Sequence, residues 1–130
     1  MRSPFELAYR YVEPALRREV ARKLADLGMP RIEIARRLGV SPAAVTKYLN
    51  GEDHARLALG REEVAELEEL VEGISAGLAG PEDVEGRLAR LALKVMASGG
   101  ACALHAEIDP EVDPSRCRIC RVTFLPLLGS

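Results

Sequence analysis

Apolar residues recur at helical spacing through most of the chain, and the punctuation between them is glycine and proline. Residues 3–12 read as a short helical turn, with Ser3 as its cap and Pro4 in its first turn. Residues 13–27 read as a helix whose stripe is Leu16, Val20, Leu24 and Leu27, closed by Gly28. Pro30 opens a third helix carrying Ile32, Ile34, Ala35 and Leu38, which Gly39 ends. Ser41 caps a fourth, with Pro42 at its first position, where a missing N–H costs little; Asn50-Gly51 stops it. Residues 51–60 read as a loop. Residues 61–79 read as a long acidic helix whose Val64, Leu67, Val71, Ile74 and Leu78 alternate steps of three and four. Such a seam suits either an intramolecular core or a dimer interface. Gly80-Pro81 breaks that helix, and Glu82 and Asp83 favour the positive end of the next. Val84, Leu88, Leu91 and Val95 line one stripe of it, and Ser98-Gly99-Gly100 ends it. Residues 101–130 show no period and are expected to be irregular.

Composition agrees with a helical reading. Hydrophobic residues make up 48% of the chain but aromatics only 4%, with no Trp. The core must therefore be aliphatic, and Ala, Leu, Arg and Glu favour helix. No run of 18 apolar residues occurs, so no membrane span is expected. No basic segment followed by an apolar stretch opens the chain, so a cytoplasmic location is expected. Arg outnumbers Lys 15 to 3, Asn50 is the only Asn, and Gln is absent. Few amides and many charges lean towards a thermophile pattern, although a GC-rich genome gives the same Arg bias.

The net charge of −2 hides a division. Residues 1–51 hold 10 Lys/Arg against 5 Asp/Glu, while residues 52–97 hold 5 against 11. A basic first part on an acidic second part suggests one face for phosphates and another for something else.

Residues 31–50, RIEIARRLGVSPAAVTKYLN, carry the most information. Two short helices crossing steeply around a tight turn need a small residue at the contact, which Ala35 supplies. The turn needs a residue that accepts positive φ, which Gly39 supplies. Ile34, Leu38, Val40, Val45 and Leu49 fall where apolar side chains must pin the pair to the preceding helix. Ser41 stands where the second helix needs a cap. On these residues the stretch resembles the helix-turn-helix of the Cro and phage-repressor type, often called XRE-like. The resemblance implies that the second helix enters the major groove of double-stranded DNA. Carried over by position, Ser41, Pro42, Ala43, Thr46, Lys47 and Asn50 face bases or nearby phosphates, and Arg31 sits near a phosphate. Lys47 suits a guanine or a phosphate; the methyls of Ala43 and Thr46 suit thymine. Arg36 and Arg37 add positive charge close by. Proteins of this type bind paired half-sites, so a homodimer is expected.

All three cysteines and one of the two histidines lie within the tail, as Cys102-Ala-Leu-His105 and, eleven residues on, Cys117-Arg-Ile-Cys120. Two such knuckles close a tetrahedral set of three thiolates and one imidazole. Asp109-Pro110 and Asp113-Pro114 make the turns that fold the loop back. Zinc is the first choice and an iron–sulfur cluster the second. A metal-free redox pair of Cys117 and Cys120, or plain buried thiols, are the alternatives. His54, in the loop, reads as a solvated residue more readily than as a ligand.

The whole chain also resembles a group of short archaeal predicted regulators that join an XRE-like helix-turn-helix to a cysteine-rich tail. That likeness rests on "VEPALR", "IARRLGVSPAAVTKYLNG", "GGACALH" and "CRIC". Members of that group carry further cysteines near the N-terminus and before the CxxH, where this chain has Phe5 and an Ala/Leu-rich helix. The departure favours a mononuclear metal.

The expectation is thus an all-α protein. Residues 1–51 form a helix-turn-helix domain, residues 52–97 an acidic helical hairpin open to dimerisation, and residues 98–130 a metal-knuckle tail. Its expected work is sequence-specific DNA binding in transcription regulation. The alternatives are a metal- or redox-sensing regulator and a protein-interaction module without DNA. No nucleophile elbow, phosphate-cradling loop or paired acids on a cleft appears, so no enzymatic activity is expected.

Overall fold

A computed structural model describes residues 3–51 and 57–129. Among the described residues the secondary structure is helical, with no strand. The elements are α1 (Pro4–Leu7), a π-turn (Ala8–Val12), α2 (Glu13–Asp26), α3 (Arg31–Leu38), α4 (Pro42–Asn50), α5 (Arg61–Ser75), α6 (Pro81–Ser98), α7 (Cys102–Ile108), α8 (Ile119–Phe124) and a final 3₁₀ turn (Leu125–Leu128). His54 lies outside the described residues.

Ser3 opens α1 as expected, its Oγ accepting from the Phe5 N–H at 3.2 Å. α1 does not stop at residue 12 but runs through the widened π-turn into α2. Pro14 supplies the reason: it has no N–H for the carbonyl one turn back, and its ring crowds that carbonyl. A wider turn just upstream absorbs both. α2 then buries Leu16, Val20 and Leu24, while Leu27, beyond the last helical residue, is 64% exposed.

The acidic helix is shorter than its periodicity predicts. α5 ends at Ser75, because Gly77 adopts φ 76° and the Leu78 N–H turns back to the Gly73 carbonyl. Leu78 is therefore exposed rather than part of a seam. At the other end Val64 is half-exposed and Glu63 takes the inward place. A straight helix repeats at 3.6 residues, so Glu63, Leu67, Leu70, Val71 and Ile74 share the inward stripe instead of a heptad seam. The Ser98 hydroxyl donates to the buried Glu63 carboxylate. α6 starts where expected: the Gly80 N–H donates to Asp83 Oδ2 at 3.0 Å. It ends at Gly99, with φ 82°.

The tail is not irregular. It holds α7, α8 and the 3₁₀ turn, separated by turns near the two Asp-Pro pairs. Ser115 donates through both N–H and hydroxyl to Asp113 Oδ1. Phe124, on α8, is 1% exposed and packs edge-on to Phe5 with ring centroids 5.2 Å apart. One continuous core cluster joins Leu7, Leu24, Leu38, Val45, Leu67, Leu88, Met96 and Phe124, so α1 to α6 and α8 all contribute to it.

Candidate nucleic-acid interface

The two helices of the proposed DNA-binding unit are held by local chemistry first. α3 ends on Gly39 at φ 68°, and the Val40 N–H closes the turn on the Ala35 carbonyl at 3.0 Å. The Ser41 Oγ accepts from the Ala44 N–H at 3.1 Å, and Pro42 occupies the first turn of α4. Ile34, Ala35, Leu38 and Val45 point into the core. Val40 and Leu49 pack partly buried against it. Ile32 lies outside that set, 74% exposed.

With Val45 inward, the opposite side of α4 faces outward. Ser41, Pro42, Ala43, Lys47 and Asn50 are exposed and Thr46 is half-buried. All of these but Pro42 line a shallow concave strip together with Ala44 and Gly51. Arg31, exposed at the head of α3, reaches across and donates to Thr46 Oγ1 at 3.4 Å. The structure thus places Ser41, Ala43, Thr46, Lys47 and Asn50 along one strip with Arg31 bonded to it, and leaves Pro42 exposed at the start of α4 outside the strip. Small side chains near the start of α4 let a nucleic acid approach its backbone closely. Lys47 supplies charge, and Asn50 supplies a paired donor and acceptor.

The arginines that follow are not equally available. Glu33 accepts from Arg36 and from Arg37, and these partners, Arg36 first, push its carboxyl down to about 2. Arg37 also donates to the Ile74 carbonyl, which ties α3 to α5. It serves the fold rather than a phosphate. Sequence reasoning missed two further arginines on α2. Arg22 Nη2 donates to the Gly51 carbonyl at 3.0 Å and so steadies the end of α4. Arg17, only 8% exposed, donates to the Leu38 carbonyl at 3.3 Å and pairs with Glu13 and Glu85. It ties α3 to α6. Its one signal in the sequence is its place beside Leu16 on the inward side of α2.

In the tail, the three thiols lie within electrostatic reach of one another. Burial first, then Cys117, raises the Cys102 thiol; burial, then Cys102 and Cys117, pushes Cys120 up to about 11. His105 is buried and its Nε2 lies 2.8 Å from Asp109 Oδ2. Among the described residues, no group of three or more His, Cys, Asp or Glu side chains is arranged to hold a metal ion. The expected set of Cys102, His105, Cys117 and Cys120 is thus not assembled as ligands among the described residues, and His105 is engaged by Asp109.

Comparison with known families agrees with the geometry. Residues 19–59 match a helix-turn-helix family model, of the XRE type. The match takes in most of α2 and all of α3 and α4, and stops before α5. No curated protein and no solved structure matches the chain. The matched segment is a helix-turn-helix of the kind that DNA-binding regulators carry. No described helix is long and apolar enough to cross a membrane.

Proposed function

We propose that this chain is a sequence-specific DNA-binding regulator that lays α4 in the major groove of its operator, as a homodimer. The carrying observation is the outward face of α4, with Ala43, Lys47 and Asn50 uncovered while Val45 anchors the helix beneath. Arg31 and Lys47 contact phosphate or guanine. Asn50 suits the paired donor and acceptor of adenine, and Ala43 and Thr46 offer methyls to thymine. Few long polar side chains reach out from α4, so phosphate contacts supply much of the affinity.

A mobility-shift titration on duplexes selected from a random pool tests this. Binding should weaken steeply with salt. The double variant Lys47→Ala, Thr46→Ala should lose roughly tenfold to a hundredfold in affinity for the selected duplex, with an unchanged melting temperature. Wild-type protein that shows no salt-dependent binding to any duplex would sink the proposal.

A second reading adds sensing by the tail, and the mutual electrostatic influence of Cys102, Cys117 and Cys120 favours it. In its metal form Cys102, Cys117 and Cys120 would have to close on zinc or an iron–sulfur cluster from an arrangement that does not present three ligands, and His105 would join only by leaving Asp109. In its redox form the thiols act without metal. Metal analysis separates these: colourless protein with one zinc per chain, brown protein that bleaches in air, or protein with neither.

A further inference from the structure

We propose that the two ends of the chain form one apolar face that receives a second copy of this chain, α8 against α8 about a two-fold axis. This deepens the reading of a dimeric regulator and rests on it for the expectation of a dimer; the face itself is argued from its area, its centre and its charges.

Ten large hydrophobics are exposed among the described residues, and six of them stand on the chain ends: Phe5, Tyr9, Ile119, Val122, Leu125 and Leu127. The ends touch, because α1 packs on α8 and the Phe5 ring meets Phe124 edge-on. Each of the six is between 41% and 76% exposed, which leaves roughly 700 Å² of their surface in water. The largest apolar patch of an ordinary monomer is about 300–600 Å², and each partner in a stable complex contributes about 800 Å². The face is larger than a monomer ordinarily leaves bare, and of the size that one copy brings to a dimer.

Helix geometry sets the centre. Cys120 and Phe124, one turn apart, are buried and define the inward side of α8. Val122, midway between them, therefore points outward, flanked by Ile119 and Leu125 at three residues to either side. At a two-fold axis a residue meets its own copy, so a charge there would face a like charge. Here the centre is a valine between aliphatic neighbours.

The charged residues on α1, the π-turn, α8 with its cap and the final 3₁₀ turn are Glu6, Arg10, Arg118 and Arg121. Glu6 pairs with Arg10 at 3.7 Å. The Arg121 guanidinium folds back over Gly99, 3.1 Å from where a Cβ would stand. Arg118 is exposed at the head of α8, four residues from the centre, where a rim charge remains in water. No acidic or basic wall selects an oppositely charged partner, and nothing opposes the same face turned upon itself. Pairing here also leaves the DNA side free, since α8 packs on α6 and α1 whereas α4 packs on α2 and α3.

Sedimentation velocity over a concentration series tests the proposal. Wild type should dimerise reversibly. Val122→Glu and Val122→Lys each place like charges face to face. Each alone should raise the dimer dissociation constant at least about thirtyfold, without lowering the melting temperature. An equal mixture of the two variants should dimerise again, which only apposition of two copies at Val122 explains. Leu78→Glu, at an exposed leucine away from the chain ends, should leave the dimer intact. A monomeric wild type overturns the interface, whether it stays in solution or sediments with phosphatidylcholine vesicles. So does a dimer indifferent to both Val122 variants, or a mixture that stays monomeric. The DNA titration runs separately. A dimer that binds no duplex sinks the regulator reading and leaves this face standing, and a duplex-binding monomer does the reverse.

Discussion

α3 and α4 are eight and nine residues long, and α7 and α8 are seven and six, so all four are too short to be stable alone. They solve that problem differently. The first pair carries its own stops and starts: Gly39 in the left-handed region, the Ser41 hydroxyl on the Ala44 N–H, Pro42 in the first turn. The second pair begins at Ala101 and Arg118, and neither helix has a side-chain cap at its start. It persists because Leu104, His105, Cys120 and Phe124 are buried against the rest of the chain. The helix-turn-helix is specified locally and then anchored, whereas the tail is specified by what it packs on.

The largest test of that contrast is Phe124→Ala. Removing a ring that is 1% exposed should cost about 3–5 kcal/mol in urea denaturation. Amide exchange should show α7 and α8 losing protection ahead of α3 and α4. Tail helices that stayed protected would show that their stability is local after all.

Arg17→Ala asks how independent the helix-turn-helix is. It strips the buried Leu38 carbonyl of a donor, a loss of about 2 kcal/mol. The Glu85 partner is 54% exposed and adds little to that. The same denaturation curves check it, and an unchanged midpoint would mean that α3 does not lean on α2 and α6 through this residue.

The smallest effect belongs to Glu33, within the locally built unit. Its carboxyl is held at about 2 against an ordinary 4.5 by Arg36 and Arg37. A depressed carboxylate stabilises the fold above its unfolded value, and that contribution fades as pH falls from about 4.5 towards 2. Glu33→Gln should therefore flatten the fall of melting temperature across that window and leave the slope at neutral pH alone. An unaltered acid slope would remove Glu33 from the account.

Legibility in the sequence followed the range of the interactions. Ala43, Thr46, Lys47 and Asn50 were found on one strip because a helix with Val45 inward has only one opposite face. The same logic failed in α5. A heptad pattern put Val64 and Leu78 in one seam, for a core or a dimer interface, and the folded helix took Glu63 inward and ended before Leu78. Arg17 sat unremarked among the surface charges of α2, since only its neighbours from α3 and α6 make burial acceptable. The two tail helices had no caps to announce them.

The chain alone determined where α3 and α4 begin and end, because turns, caps and left-handed glycines act over a few residues. It also determined the basic character of that unit. Tertiary structure decided which side of α5 is covered, that the tail is helical, that His105 pairs with Asp109, and that Leu78 and two glycines are left along an open groove. These depend on surfaces brought together from distant parts of the chain, and no short-range pattern encodes which surfaces will meet.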